Sequence, residues 1–145
     1  MIQRIQTLFY LLAGGSFGGL FNFPFASSTS KGTHFMADQV YDVFDNPVLM
    51  VMAGLGIGLA LLAIFLFKNR SIQIKLGYVL IILSIFIPLV AMALFYTEAN
   101  QIMNTGEIND QIGIYLPALS LVFAIIANRF VSKDEKTVRS MDRLR

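Results

Sequence analysis

Long apolar blocks separated by short polar connections dominate the chain. Four blocks are long enough to cross a hydrocarbon core of roughly 30 Å, which takes about 20 helical residues. They run from about Thr7 to Ala26, Val48 to Phe67, Leu76 to Tyr96 and Ile112 to Val131. None carries a charge in its interior, and Arg129 falls in the last turn of the fourth. Val48 to Phe67 has no polar side chain at all. A helix of a soluble domain keeps a polar face, an interfacial helix keeps a charged one, and barrel strands alternate over about ten residues. The blocks match none of these patterns. They predict an all-α fold: a single domain over residues 1–145, built as an antiparallel up-and-down bundle of four transmembrane helices.

The connections add detail. Ser27 to Pro47 opens with Ser27-Ser28-Thr29-Ser30 and carries Asp38, Asp42 and Asp45. Within it, Met36 to Phe44 reads as a short helix lying on the membrane, with Met36, Val40, Val43 and Phe44 on one side. Lys68 to Lys75 is a tight basic turn, and Thr97 to Gln111 carries Glu98, Glu107 and Asp110. Connections this short make sequential helices antiparallel neighbours. Pro47, after Asn46, takes the first-turn position that proline favours. The first block, read as a signal peptide, is too long for the usual apolar core of 7–15 residues, so it is read as a retained helix.

Composition agrees with the pattern. Hydrophobic residues make up 56% of the 145 positions and charged residues 14%, against about 25% charged in soluble domains. Charge then sets orientation. Ten of the eleven basic residues fall on one side: Arg4, then Lys68, Arg70 and Lys75, then Arg129, Lys133, Lys136, Arg139, Arg143 and Arg145. Lys31 alone falls on the other. Basic residues in short loops stay cytoplasmic. Both termini and the middle turn are therefore expected on the cytoplasmic side of the membrane. The net charge of +2 is explained by this asymmetry, so no nucleic-acid partner is expected. With no cysteine, disulfides, thiolate metal sites and cysteine nucleophiles are excluded.

Candidate helix-packing positions are Gly14, Gly15, Gly18 and Gly19 in the first block and Gly54 and Gly58 in the second, where Gly56 lies between them. Four-residue spacing puts small residues on one face, where a second backbone can approach closely. The seam so formed serves packing within the chain, or else a homo-oligomer or another membrane protein. Pro88 interrupts the third block and is a candidate kink, since it removes one backbone hydrogen bond. Tyr10, Tyr78, Tyr96 and Tyr115 stand near predicted helix ends, as interfacial anchors do. Ser16, Asn22, Ser84, Ser120 and Asn128 are neutral polar groups in the spans, and a serine there can bond the carbonyl one turn back. The lack of buried charge argues against an ion path or proton relay. His34 stands alone, so no metal or cofactor is expected. The tail, Ser132 to Arg145, reads as a short basic amphipathic helix on the anionic inner leaflet. Its Arg139, Arg143 and Arg145 are candidates for an interaction.

The opening Met1-Ile2-Gln3-Arg4-Ile5-Gln6-Thr7, the turn Lys68-Asn69-Arg70 and the close from Lys133-Asp134-Glu135-Lys136 to Asp142-Arg143-Leu144-Arg145 resemble a family of small four-helix inner-membrane proteins of Bacteroidetes, catalogued as a domain of unknown function. The resemblance implies an inner-membrane location and supplies no catalytic residues. The functional expectation is a structural or interaction subunit surrounded by lipid. The alternative is an oligomeric passive transporter or channel component. An enzyme would have to work at an interface with groups such as Tyr96, Glu98 or Asn22, and no catalytic activity is expected.

Overall fold

A computed structural model of the chain describes residues 2–29, 38–102 and 108–142; of residues 2–4, 97–102, 139 and 142 only the backbone is described. The fold is mostly helical. Four α-helices are present, α1 (Ile2–Gly19), α2 (Pro47–Phe65), α3 (Arg70–Ile102) and α4 (Leu116–Asp142), and a short 3-10 turn, Ile112–Tyr115, leads into the last. Three of them, α2, α3 and α4, are long and apolar enough to cross a membrane. The first helix, which opens with Gln3, Arg4 and Gln6, is not one of these. Four helices are thus present, as expected, and among the described residues three of them are long and apolar enough to span.

Each helix packs between two others: α1 and α3 both lie against α2 and α4. Contacts fix the directions. Gln6 and Ala13 of α1 meet Asp134 and Ser120 of α4. Ser84 of α3 meets Ser120, and Gly77, one to two turns earlier, lies against Asn128. Gly14 and Phe17 of α1 face Ala60 and Gly56 of α2. All four neighbouring pairs therefore run antiparallel, up-down-up-down.

The buried positions recur at alternating steps of four and three. They are Gln6, Tyr10, Ala13, Phe17 and Leu20 on α1, then Leu49, Ala53, Gly56, Ala60 and Ala63 on α2. On α3 they are Gln73, Gly77, Leu80, Ser84, Ile87 and Ala91, and on α4 Pro117, Ser120, Ala124, Ala127 and Val131. This is the stripe that near-parallel helix packing requires. About half of it is Gly, Ala or Ser, most densely on α2. Large apolar side chains point the other way, including Val51, Leu55, Leu62, Ile82, Phe86, Leu89 and Val122. The helices are closest where the residues are smallest. A methyl group on Gly14 would lie 2.9 Å from Ala60 Cβ, and one on Gly56 would lie 2.6 Å from Phe17 Cγ. Opposite this tight pair, Phe9 of α1 stacks on Phe130 of α4 at 5.8 Å between ring centroids.

Helix ends differ from the block boundaries for identifiable reasons. Asn46 caps α2, its side chain accepting from the Val48 amide at 2.8 Å, and Pro47 is the first helical residue. The third helix has 33 residues, roughly 50 Å at about 1.5 Å per residue, so it outruns its apolar block at both ends. The basic tail continues α4 without a break to Asp142. It is not a separate helix lying across the bundle. The largest change is at α1, which starts five residues before the apolar block and stops at Gly19. Beyond it, the amides of Leu20, Phe21, Asn22 and Phe23 all bond carbonyls of Phe17, Gly18 or Gly19. Pro24 has no amide hydrogen, and the Phe25 amide donates to Tyr41 at 2.8 Å. No donor is orphaned, so the chain can leave the helix while still packed against protein.

Gly56 and Gly54 separate the two faces of α2 experimentally. Gly56→Ala presses on the Phe17 ring and is expected to destabilise the protein by about 1–3 kcal/mol, as overpacking does. Gly54 has nothing within 4 Å of an added methyl, so Gly54→Ala should be neutral or stabilising by up to about 1 kcal/mol through helix propensity. Unfolding in mixed detergent, followed by circular dichroism, measures both.

Candidate functional site

At the end of the bundle away from the termini, two connections that are far apart in sequence fold together. The strand β1 (Ala26–Ser28) lies between β2 (Val40–Tyr41) and β3 (Ile108–Asp110) in a three-stranded antiparallel sheet. Ala26 pairs with Tyr41 on one side and Asp110 on the other. Local chemistry shapes β2. Asp38 accepts from the Val40 amide at 3.2 Å, Asp42 from Phe44 at 2.7 Å, and Asp45 from Asp42 at 2.8 Å. Side chains that bond nearby amides in this way favour turns over helix, and Gln39 has a φ of 70°. Over residues 38–44 the expected membrane-surface helix is therefore absent, and Val43 is fully buried. Met36 lies outside the described residues.

The second connection locks on through Gly113. Its amide donates to the Pro24 carbonyl at 2.9 Å, and a Cβ there would collide with the Pro24 carbonyl oxygen. The Gln111 amide donates to Phe25 at 3.0 Å, and its side-chain amide donates to Ser27 Oγ, also at 3.0 Å.

Tyr41 joins this sheet to the helices. Its ring lies 5.6 Å from Phe25 and 5.8 Å from Phe95, and its hydroxyl donates to the Ala91 carbonyl of α3 at 2.9 Å. Beside it, a cavity of about 290 Å³ is walled by Pro88, Met92, Phe95 and Tyr96 of α3 and by Phe25 of the sheet end. Among the described residues, Asp110 is the only charged one that lines it. Walls of this kind accept an apolar group. Pro88 sits inside an unbroken helix, where it can give the Ser84 carbonyl no helical hydrogen bond.

The other end is polar inside. Tyr10 is fully buried, and its hydroxyl donates to the Gln73 carbonyl at 3.3 Å. Tyr10 is thus an interior residue and not an interfacial anchor, whereas Tyr78, Tyr96 and Tyr115 are exposed. Gln73 Nε2 donates to the Ala63 carbonyl of α2 at 3.0 Å, and Gln6 Nε2 donates to Asp134 at 2.9 Å. Two atoms there, Gln73 Oε1 and Asn128 Oδ1, are buried without a hydrogen-bond partner among the described residues. Midway along the bundle, the Ser84 hydroxyl donates to Leu80 at 2.9 Å and lies 3.3 Å from that of Ser120, which reaches the Ala13 carbonyl.

The candidate glycines divide among several surfaces. Gly14 and Gly18 face α2, where an added methyl would meet Ala60 and Ile57, and Gly19 faces Leu116 of α4. Gly15, Gly54 and Gly58 have nothing within 4 Å. Gly56 and Gly77, singled out by no four-residue spacing, are the tighter positions. A methyl on Gly77 would lie 2.7 Å from Asn128 Oδ1 and 2.8 Å from the Tyr10 hydroxyl. Gln6, Gln73 and Tyr41 were likewise missed, although Gln6 and Gln73 extend the buried stripes by one step. Arg143 and Arg145 lie outside the described residues, as does the side chain of Arg139.

The family comparison covers almost the whole of this arrangement. The family model described as Domain of unknown function (DUF4293) matches residues 2–144. The chain belongs to this family. No curated protein and no solved structure matches it. Membership extends over both the sheet end and the basic end, so the two form parts of one family unit. It assigns no reaction to either.

The tie between sheet and bundle can be tested at Tyr41. Tyr41→Phe removes one buried hydrogen bond and is expected to cost about 0.5–1.5 kcal/mol. Hydrogen exchange at Ala26–Ser28 and Ile108–Asp110 should accelerate, while exchange along α2 stays unchanged.

Proposed function

We propose that this chain is an integral protein of a bacterial cytoplasmic membrane, with four helices in the bilayer, and that it works as a structural or interaction subunit. The observation that carries this reading is the outward face. Among the described residues thirty large apolar side chains are exposed. Moving each from water to hydrocarbon is favourable by roughly 1 kcal/mol when it is about half exposed. The sum exceeds the 5–15 kcal/mol that typically holds a domain together, so the choice of solvent outweighs any single internal contact. Soluble monomers rarely expose contiguous apolar patches beyond a few hundred Å².

The orientation follows from charge. Arg70 and Lys75 at the start of α3, and Arg129 to Lys136 on α4, stand at the end where α1 begins. The sheet stands at the opposite end. With the basic end inside, the acidic connections and the sheet face out.

An interaction role is supported by the glycines that the bundle leaves unused. Gly54 and Gly58 are one turn apart on α2, and both are open. In lipid, such a pair permits close approach of another helix. The occupant is a second copy or another membrane protein. Transport is less well supported, because the buried side chains among the described residues are uncharged and small residues bring the helices into direct contact.

The chain has no cysteine, so single cysteines report without background. A cysteine at Ser140 should resist an impermeant maleimide in intact cells, and one at Asn109 should react. A photoreactive residue at Val51 should give one discrete crosslinked protein, lost in the Gly54→Leu, Gly58→Leu double variant. Crosslinks that are diffuse, or that survive the double substitution, would remove the interaction reading.

A further inference from the structure

At the basic end a cleft of about 500 Å³ opens between α3 and α4. Arg129, Lys133 and Lys136 line it from α4, together with Ser132. Among the described residues, no acidic side chain lines it. Two carboxylates adjoin these cations in sequence: Asp134 is turned to α1, where Gln6 Nε2 donates to it, and Glu135 is not among the residues that line the cleft. Three cations at steps of four and three along one helix repel each other. Among the described residues nothing of opposite sign lines the cleft to relieve them.

The rest of the cleft is amphipathic. Tyr78 stands exposed at its mouth, with Ile81 and Ile125 deeper in. Steps of three and four continue these rows to Ile85 on α3 and Val122 on α4, both exposed and apolar. A polar mouth, a cationic wall and an apolar track therefore follow one another along the α3–α4 seam. Asn128 also borders the cleft, but its side-chain oxygen, an acceptor, lies by Gly77 and the Tyr10 hydroxyl, so the cations and the Ser132 hydroxyl alone are placed to meet an anion.

We infer that this cleft holds one anionic phospholipid. The phosphate sits among Arg129, Lys133 and Lys136, the Ser132 hydroxyl donates to it, and one acyl chain runs along Ile81, Ile125, Ile85 and Val122. Charge complementarity fixes the sign of the ligand, and the apolar track selects a lipid over a free phosphate ester. Basic pockets between helices at a cytoplasmic surface recognise acidic headgroups on the same principle. The inference rests on the membrane reading and on the inward placing of the basic end.

The test is native mass spectrometry of the full chain extracted from membranes in detergent, titrated with phosphatidylglycerol, phosphatidylcholine or glycerol 3-phosphate. One phosphatidylglycerol should remain bound, without displacement by the other two. The Arg129→Gln, Lys133→Gln variant should bind it roughly thirtyfold more weakly, at about fivefold for each cation near the surface. The Lys68→Gln, Lys75→Gln variant loses the same charge at the same end outside the cleft, and should bind as the parent does. All four side chains are exposed, and an unchanged helical spectrum checks the fold. Equal weakening in both variants would show general attraction and overturn the site. Displacement by glycerol 3-phosphate would overturn the lipid as its occupant. A chain that is found in membranes but retains no lipid refutes only this inference, whereas a chain found in the soluble fraction refutes the membrane reading and this site with it.

Discussion

Small side chains make up about half of the inner face of this bundle while many large apolar ones face outward, and the other features of the fold follow from that distribution. With water outside, the arrangement would squander its hydrophobic surface. With hydrocarbon outside, burying a leucine between helices gains little, since lipid is as apolar as leucine. Helices then hold together by close contact and by hydrogen bonds. The structure has both. Ala53, Gly56, Ala60 and Ala63 give α2 a nearly flat inner face, against which Phe17 lies close enough to exclude any side chain at position 56. Polar ties cross the bundle at three levels, through Gln73, through Ser84 and Ser120, and through Tyr41.

The short first helix fits the same constraint. Backbone that leaves a helix at membrane depth must find partners within the protein. Leu20 to Phe25 does so, first with the last carbonyls of α1 and then with Tyr41. The sheet extends this solution outward and joins the first connection to the third. The two ends of the molecule therefore differ in kind. One is braced by backbone pairing around an apolar cavity. The other is held by buried amides and carries the cations.

Much of this was legible in the sequence, and the misses have physical causes. The second helix was read almost to the residue because Asn46-Pro47 starts it and the basic turn after Phe67 closes an unbroken apolar run. The end of the first helix was not, because Leu20 to Phe25 is equally apolar as helix or as extended chain. The sheet rests on pairing between Ala26–Ser28 and Ile108–Asp110, a contact that no local pattern encodes. Asp38 and Asp42 fall within the stretch whose apolar spacing suggests a surface helix, and Asp45 just after it, yet their bonds to nearby amides decide a turn instead. Counting glycines at four-residue steps picked Gly54 and Gly58 and passed over Gly56. The face used inside the bundle is the Ala-Gly-Ala-Ala row, visible only when alanine is counted with glycine. Tyr10 looked like an anchor because of its place near the start of a block, but the helix begins earlier and carries it into the core.

The central claim is that the outward faces of α2, α3 and α4 meet hydrocarbon. Nitroxide labels on single cysteines at Leu55, Ile82 and Val122, in membranes containing the chain, measure this directly by collision with oxygen and with a water-soluble nickel chelate. All three labels should collide often with oxygen and rarely with nickel, while a label at Lys68 shows the reverse. Nickel collisions at Leu55, Ile82 and Val122 as frequent as at Lys68 would contradict the account.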